Sequence, residues 1–250
     1  MIRSGIAPID DLLGGFRPGA AYLLTGGPGS GKSSCCLQFA DAGLRRGERV
    51  AMLVFGRAAD VRAHAAAFGI DLATALRDGR LLLLRYRSDF ARRVAHALST
   101  DRVLDDLRRI IGPHRPKRIV IDSFAPLLDD GSAGGESAAS LADFLERAGS
   151  TSLLTYPGDL RNGYDRGMEP IVQSAAGVLR LSRDELGTHR VEALSLRQEA
   201  ARTGVVRFVI RPRQGIALIA SAPHESIVAA TPRPPLAVQE TERLTQREVS

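Results

Sequence analysis

The residues best suited to chemistry lie in one short run, "LLTGGPGSGKSS" (23–34). Gly26, Gly31, Lys32 and Ser33 satisfy the spacing G-x-x-x-x-G-K-[ST], with an apolar run before it and a helical pattern after it. In that setting each residue type has a phosphate-binding task. The stretch Gly26, Gly27, Pro28, Gly29, Ser30 and Gly31 lets backbone N–H groups turn inward around phosphate oxygens, and the following helix N-terminus adds a partial positive charge. Lys32 reaches the β and γ phosphates, Ser33 ligates Mg²⁺, and Ser34 carries the cradle into the helix. The expected ligands are ATP and Mg²⁺. A plain glycine turn is the alternative, but only two lysines occur in the chain, Lys32 and Lys117, and one of them falls here.

Such a loop needs a carboxylate at the end of a buried strand to hold the metal through water. "RIVIDS" supplies Asp122 behind Ile119, Val120 and Ile121. Many strands end in an acid, so this assignment leans on the loop upstream. Ser33 and Asp122 are then the metal-side residues, and Lys32 and Asp122 the catalytic ones. The five histidines are scattered without a paired metal-site spacing. Cys35 and Cys36 are adjacent and cannot form an ordinary bridge with each other, so buried thiols in a reducing cytoplasm are expected.

Positioning these groups requires a strand ending at the loop, a helix starting from it and a second strand ending at Asp122. Short apolar runs supply strands at 20–25, 49–55, 80–86, 118–122, 151–156 and 177–183. Helical patterns lie between them at Lys32–Gly43, Ala58–Phe68, Phe90–Ile111 and Ser137–Ala148. In the third, Phe90, Val94, Leu98, Leu104, Leu107 and Ile111 recur at helical spacing, with Arg92, Arg93, Arg102, Arg108 and Arg109 off that stripe. The alternation predicts an α/β fold, a mainly parallel twisted sheet with helices on both faces. After residue 183, runs at 190–197, 205–211 and 215–220 read as antiparallel strands at the C-terminal edge. Residues 1–230 are expected to form one domain. The proline-interrupted tail, 231–250, is expected to be disordered, with docking to a partner protein as its alternative role.

At 250 residues, 44% hydrophobic and 25% charged, the composition is that of an ordinary soluble domain. No run approaches the length of a membrane span, and the N-terminus carries acids and no apolar signal core, so a cytoplasmic location is expected. The net charge of +6 is uneven, because residues 77–118 hold 12 basic and 5 acidic residues. A basic region invites a nucleic-acid reading, but a solvated helix face explains it more simply.

The opening "SGIAPIDDLLGGFRPGAAYLLTGGPGSGKSSCCLQFADAGLRRGERVAMLVF" resembles the RecA-like P-loop ATPases of the KaiC/RadA group. These begin with a "TGI…LD.LLGGG…G" segment that feeds directly into the loop. "AAFGIDLATALRDGRLLLL" extends the likeness to the KaiC type. The similarity runs from about Ser4 to Ile219 and is strongest up to residue 85. It implies a RecA-like P-loop NTPase fold, ATP bound at protomer interfaces, and self-assembly into a ring or filament, commonly a hexamer.

The departures from that family carry as much information. KaiC-type members end the second strand with two glutamates after a phenylalanine, one of which polarises the attacking water. Here the stretch is "LVFGRAAD", so Gly56 and Arg57 stand in their place. Glycine has no side chain and arginine cannot accept a proton. Asp60 is a substitute in principle, though helical geometry is expected to turn it away. Arg57 is either a phosphate-contacting cation or a solvated loop residue. The family also presents a Lys-x-Arg pair to the neighbour's nucleotide, and "SLRQE" puts Ser195 at the lysine and Arg197 at the arginine position. Arg197 is thus an arginine-finger candidate or an ordinary surface arginine.

The leading expectation is an ATP-binding KaiC-like protein with slow or absent hydrolysis, acting through nucleotide-dependent assembly or partner contacts. The alternative is a recombinase-like protein holding single-stranded DNA. Of its two candidate loops, 127–137 is acidic, and 157–169 is mixed with Tyr164 available to stack. A small-molecule phosphotransferase is disfavoured, since neither an arginine-rich lid nor an acceptor base is evident.

Overall fold

The computed structural model describes residues 1–85, 100–128, 135–197, 204–219 and 238–239. Buried β-branched and leucine runs form its strands, and among the described residues nine of them make one sheet. In chain order these are β1 (Ala21–Thr25), β2 (Val50–Val54), β3 (Leu81–Arg85), β4 (Arg118–Asp122) and β5 (Thr151–Tyr156), then, after a short pairing strand β6 (Tyr164–Asp165), β7 (Gly177–Arg183), β8 (His189–Leu196), β9 (Val205–Arg211) and β10 (Gly215–Leu218). The spatial order is β10-β9-β8-β7-β1-β5-β4-β2-β3. The six strands from β7 to β3 run parallel, whereas β8, β9 and β10 are antiparallel additions at the C-terminal edge.

Because successive side chains of a strand point to opposite faces, the sheet buries two cores. Tyr22, Leu24, Val50, Met52, Val120 and Leu179 face one side, against α1 (Ala7–Leu13), α2 (Lys32–Leu44), α3 (Ala58–Ala67) and α4 (Leu72–Arg77). Leu23, Leu53, Ile119, Ile121, Leu154 and Val178 face the other, against α5 (Thr100–His114), α6 (Glu136–Ala148) and α7 (Glu169–Ser174). In α5 the stripe residues Leu104, Leu107 and Ile111 are all buried, each contributing about 1.5–3 kcal/mol of burial energy. The expected helical start at Phe90 and the stripe positions Val94 and Leu98 lie outside the described residues.

Three short helices went unread in the sequence. α1 starts with Pro8 in its first turn and ends at Gly14 in the left-handed conformation. Its Asp10 carboxylate accepts the backbone N–H groups of Ser4 and Gly5, folding the N-terminal segment back onto the helix. α4 is capped by Asp71, which accepts the N–H of Thr74 at 3.0 Å. α7 has Pro170 in its first turn. Two-turn helices carry too few apolar positions to declare a period.

The basic stretch is not one surface. Arg118 is fully buried at the start of β4. Its guanidinium donates to Glu48 at 2.6 Å and to the carbonyls of Arg3, Ser4 and Phe39, and lies 4.6 Å from the Phe39 ring centroid. That cation ties the N-terminal segment, α2 and β4 together. Arg108 is held by Asp105 and Asp143. Of the tail, only Val238–Gln239 is described, as a two-residue strand beside β6. No helix among the described residues is long and apolar enough to cross a membrane.

Candidate functional site

The loop between β1 and α2 sits at the C-terminal ends of the parallel strands, where a doubly covered sheet opens its crevice. Two of its glycines are required by sterics. Gly26 has φ +138°, and a Cβ there would stand 2.1 Å from the Leu181 carbonyl oxygen. Gly31, at φ +102°, is the N-cap of α2, and its Cβ would come within 3.0 Å of Ile210. The loop is fastened from two sides and from within. Gly26 N–H donates to Gly158 O, Ser30 N–H donates to Gly27 O, and the His189 ring donates from Nδ1 to Ser30 O at 3.1 Å. Burial holds His189 below the ordinary histidine range, and its ring stacks on Phe208. Gly27, Pro28 and Gly29 are exposed at the tip, while Ser30 is buried beneath it.

Lys32 folds over this loop. Its ammonium donates to the carbonyls of Gly26 and Gly27 and to the Ser30 hydroxyl. Burial lowers its pKa, against the opposing pull of Asp122. Ser33 is exposed on the first turn of α2, whereas Ser34 is buried, its hydroxyl 3.3 Å from His64 Nε2. Asp122 is half-buried at the end of β4 and accepts a 2.6 Å hydrogen bond from the Thr155 hydroxyl. Its charge reaches Lys32, Cys35, Cys36 and His64, so it faces the N-terminal turn of α2. The two thiols are buried and free. Burial first, and the Asp122 charge second, push both upward and keep them protonated.

Three contributors were not read from the sequence. Thr155 stands opposite Leu24 in β5, between the loop strand and β4, and orients the carboxylate. His64 lies on α3 and closes on Ser34. Burial keeps it below the ordinary histidine range, which leaves the neutral ring able to accept from the hydroxyl. His189 braces the loop from the antiparallel edge. A threonine next to the end of a strand and a histidine in the last turn of a short helix have no motif spacing; only the tertiary fold brings them to the loop.

Gly56 and Arg57 lie just past β2, both exposed, and Arg57 is the N-cap of α3 with its carbonyl accepting from Asp60 and Val61. Asp60 is exposed in the first turn of α3, where an acid complements the helix dipole. Ser195 pairs with Val178 in β7. Arg197 is exposed beyond the end of β8, its N–H bonded to Ala176 O. Since β8 runs antiparallel to β7, and Gly177 is level with both Leu196 and Tyr22, Arg197 lies at the end of the sheet away from its own loop. Along the strands that separation is about 13 Å or more.

The acidic loop at 127–137 lies largely outside the described residues. In the 157–169 loop, Arg161 is paired with the buried Glu192, which also binds Arg180 at 3.0 Å, and Arg180 binds Asp159 at 2.7 Å. Tyr164, expected to be available for stacking, is instead buried in the core with Leu160 and Met168. No cluster of metal-ligating side chains of the histidine, cysteine or acid type occurs among the described residues.

A glycine-lined loop on a parallel strand, an acid on the next strand but one, and three antiparallel strands at one edge define a RecA-like P-loop ATPase fold. The family model described as "ATPase: KaiC" matches residues 2–222, and the chain belongs to that family. A UPF0273 protein of Aeropyrum pernix is 30% identical over 209 residues, covering 77% of this chain and 82% of its own length. The circadian clock oscillator protein KaiC of a Picosynechococcus species is 32% identical over 128 residues, half of this chain but 23% of that longer protein. The crystal structure of a KaiC-like protein from Pyrococcus horikoshii superposes with a TM-score of 0.71 at 27% identity, covering 87% of this chain and 98% of the other.

Proposed function

We propose that this protein binds Mg-ATP at Gly26–Ser34, hydrolyses it slowly or not at all, and uses the bound nucleotide to join copies of itself head to tail. The observation that carries this reading is the placement of the two phosphate-seeking features at opposite ends of one sheet. The loop occupies the C-terminal ends of the parallel strands, and Arg197 the other end. An arginine so placed meets a nucleotide only on another copy. Contact between two different surfaces is heterologous, and it closes into a ring or extends as a filament. A hexameric ring is the expected form.

The residues present fit the ligands. Lys32, already over the loop carbonyls, is the cation for the β and γ phosphates, and the α2 N-terminus directs backbone donors toward them. Ser33 and Asp122 offer the hard oxygen donors that Mg²⁺ prefers. Bound Mg²⁺ supplies neutralisation of the phosphate charge. Thr155 holds the Asp122 carboxylate in place, and His64 holds the Ser34 hydroxyl. What is missing is a proton acceptor where Gly56 and Arg57 stand, and a positioned base is worth roughly 10²–10⁴ in rate. The protein functions in the cytoplasm in this reading.

Isothermal titration with ATP and Mg²⁺ tests the binding claim. Tight binding by the native protein, weakened about tenfold or more by Lys32→Ala, is the expected result. Equal affinity in the two proteins contradicts it. The single-stranded DNA alternative gains no support from the second loop, where Arg161 is tied to Glu192 and Tyr164 is buried.

A further inference from the structure

At the N-terminal ends of β4 and β5, facing away from the nucleotide loop, the molecule has a cavity of about 510 Å³. That size is within the range of small-molecule sites, roughly 300–1,000 Å³. It opens where α5 and α6 both end. Ile111 and Phe144, themselves almost wholly buried, close its apolar floor, and Arg108, Arg115, Lys117 and Arg147 form a cationic rim. Arg108 lies 5.9 Å from the Phe144 ring centroid, so the apolar and charged sides meet.

Helix C-termini attract basic residues, and that accounts for part of this charge. Asp143 binds both Arg108 and Arg147. Arg115 and Lys117, by contrast, have no acid within ion-pair distance among the described residues, and both are exposed. Lys117 is also the only lysine besides Lys32 in a chain that otherwise uses arginine. Gly112 adds an open wall, since a Cβ there would meet nothing within 4 Å. β4 separates Lys117 from Asp122 by roughly 17 Å, which makes this a different site from the nucleotide loop.

We propose that this cavity is a second ligand site, taking a small organic anion with a flat apolar body and a phosphate or polycarboxylate head. The body packs over the floor that Ile111 and Phe144 close, the head pairs with Arg115, and Lys117 stands beside the ring. The proposal stands apart from the ATP reading and survives its failure.

The lysine count makes the test specific. Pyridoxal 5′-phosphate, an aromatic phosphate aldehyde, condenses with an amine to an imine with loss of water, and borohydride reduces the imine to a stable secondary amine. Peptide mass spectrometry then scores Lys117 and Lys32 separately. The expected result is saturable labelling of Lys117, competed by pyridoxine 5′-phosphate, which has no aldehyde. Gly112→Leu, which fills the cavity without removing charge, and Arg115→Asn, which keeps a residue tolerant of the left-handed φ of 47°, each lower Lys117 labelling about tenfold. Competition by inorganic phosphate as effective as that by pyridoxine 5′-phosphate overturns the apolar half of the proposal. Labelling of Lys117 that rises linearly with reagent and ignores both substitutions overturns the whole.

Discussion

At the end of β2, where KaiC-type proteins carry two glutamates, this chain has Gly56 and Arg57, both solvent-exposed. A Cβ on Gly56 would meet nothing within 4 Å, so a side chain there costs no packing. Gly56→Glu should therefore raise ATP turnover, by up to about 10²-fold, the lower range for a positioned base, as read by phosphate release. The opposite holds at Gly26, where a Cβ would strike the Leu181 carbonyl. Gly26→Ala should reduce stability by about 1–3 kcal/mol in urea denaturation and weaken ATP binding with it. At this scale the sequence is legible where identity itself carries the chemistry: a lysine after glycine, an aspartate after three β-branched residues. It is mute on Thr155, His64 and His189, because their roles come from which strands and helices the fold brings side by side.

Among the elements, those with a full buried period were readable to within a residue or two. β4 and β5 coincide with the apolar runs at 118–122 and 151–156, and α6 begins one residue earlier than the helical pattern at Ser137–Ala148. α1, α4 and α7 were missed because two turns hold only two or three buried positions. Charge patterning also misled around Arg118. It counts toward the basic surplus, yet it is a buried pin between α2 and β4. Arg118→Ala should cost about 3–5 kcal/mol of stability in urea denaturation, the range for breaking a buried, hydrogen-bonded pair.

The network joining the loop after β5 to β7 and β8 predicts a pH dependence. Burial raises the Glu192 pKa, but Arg161 and Arg180 together outweigh it and hold it below its ordinary 4.5. The Arg180 hydrogen bond lowers Asp159 below its ordinary 3.8, with burial opposing. Both carboxylates are depressed in the folded state, so their contribution is complete above those ordinary values and is lost as pH falls through the depressed ones. Thermal midpoints should hold near neutrality and fall below about pH 4.5, and Arg180→Gln should reduce that acid-linked fall.

At the scale of the whole molecule, the loop and Arg197 lie at opposite ends of a sheet whose order puts β8 next to β7 and β7 next to β1. An ATP-dependent assembly of such a subunit joins unlike surfaces. Arg197→Ala should leave ATP binding by the single subunit within about twofold and reduce assembly on ATP addition, as seen by sedimentation. The central claim, that the nucleotide is held and used for assembly more than it is cut, is tested most directly by measuring particle mass and phosphate release in the same sample, with and without Mg-ATP. The account predicts a shift from subunit to ring or filament mass with little phosphate released. An unchanged mass, or phosphate release at about 1 s⁻¹ or faster that Lys32→Ala abolishes, would contradict it.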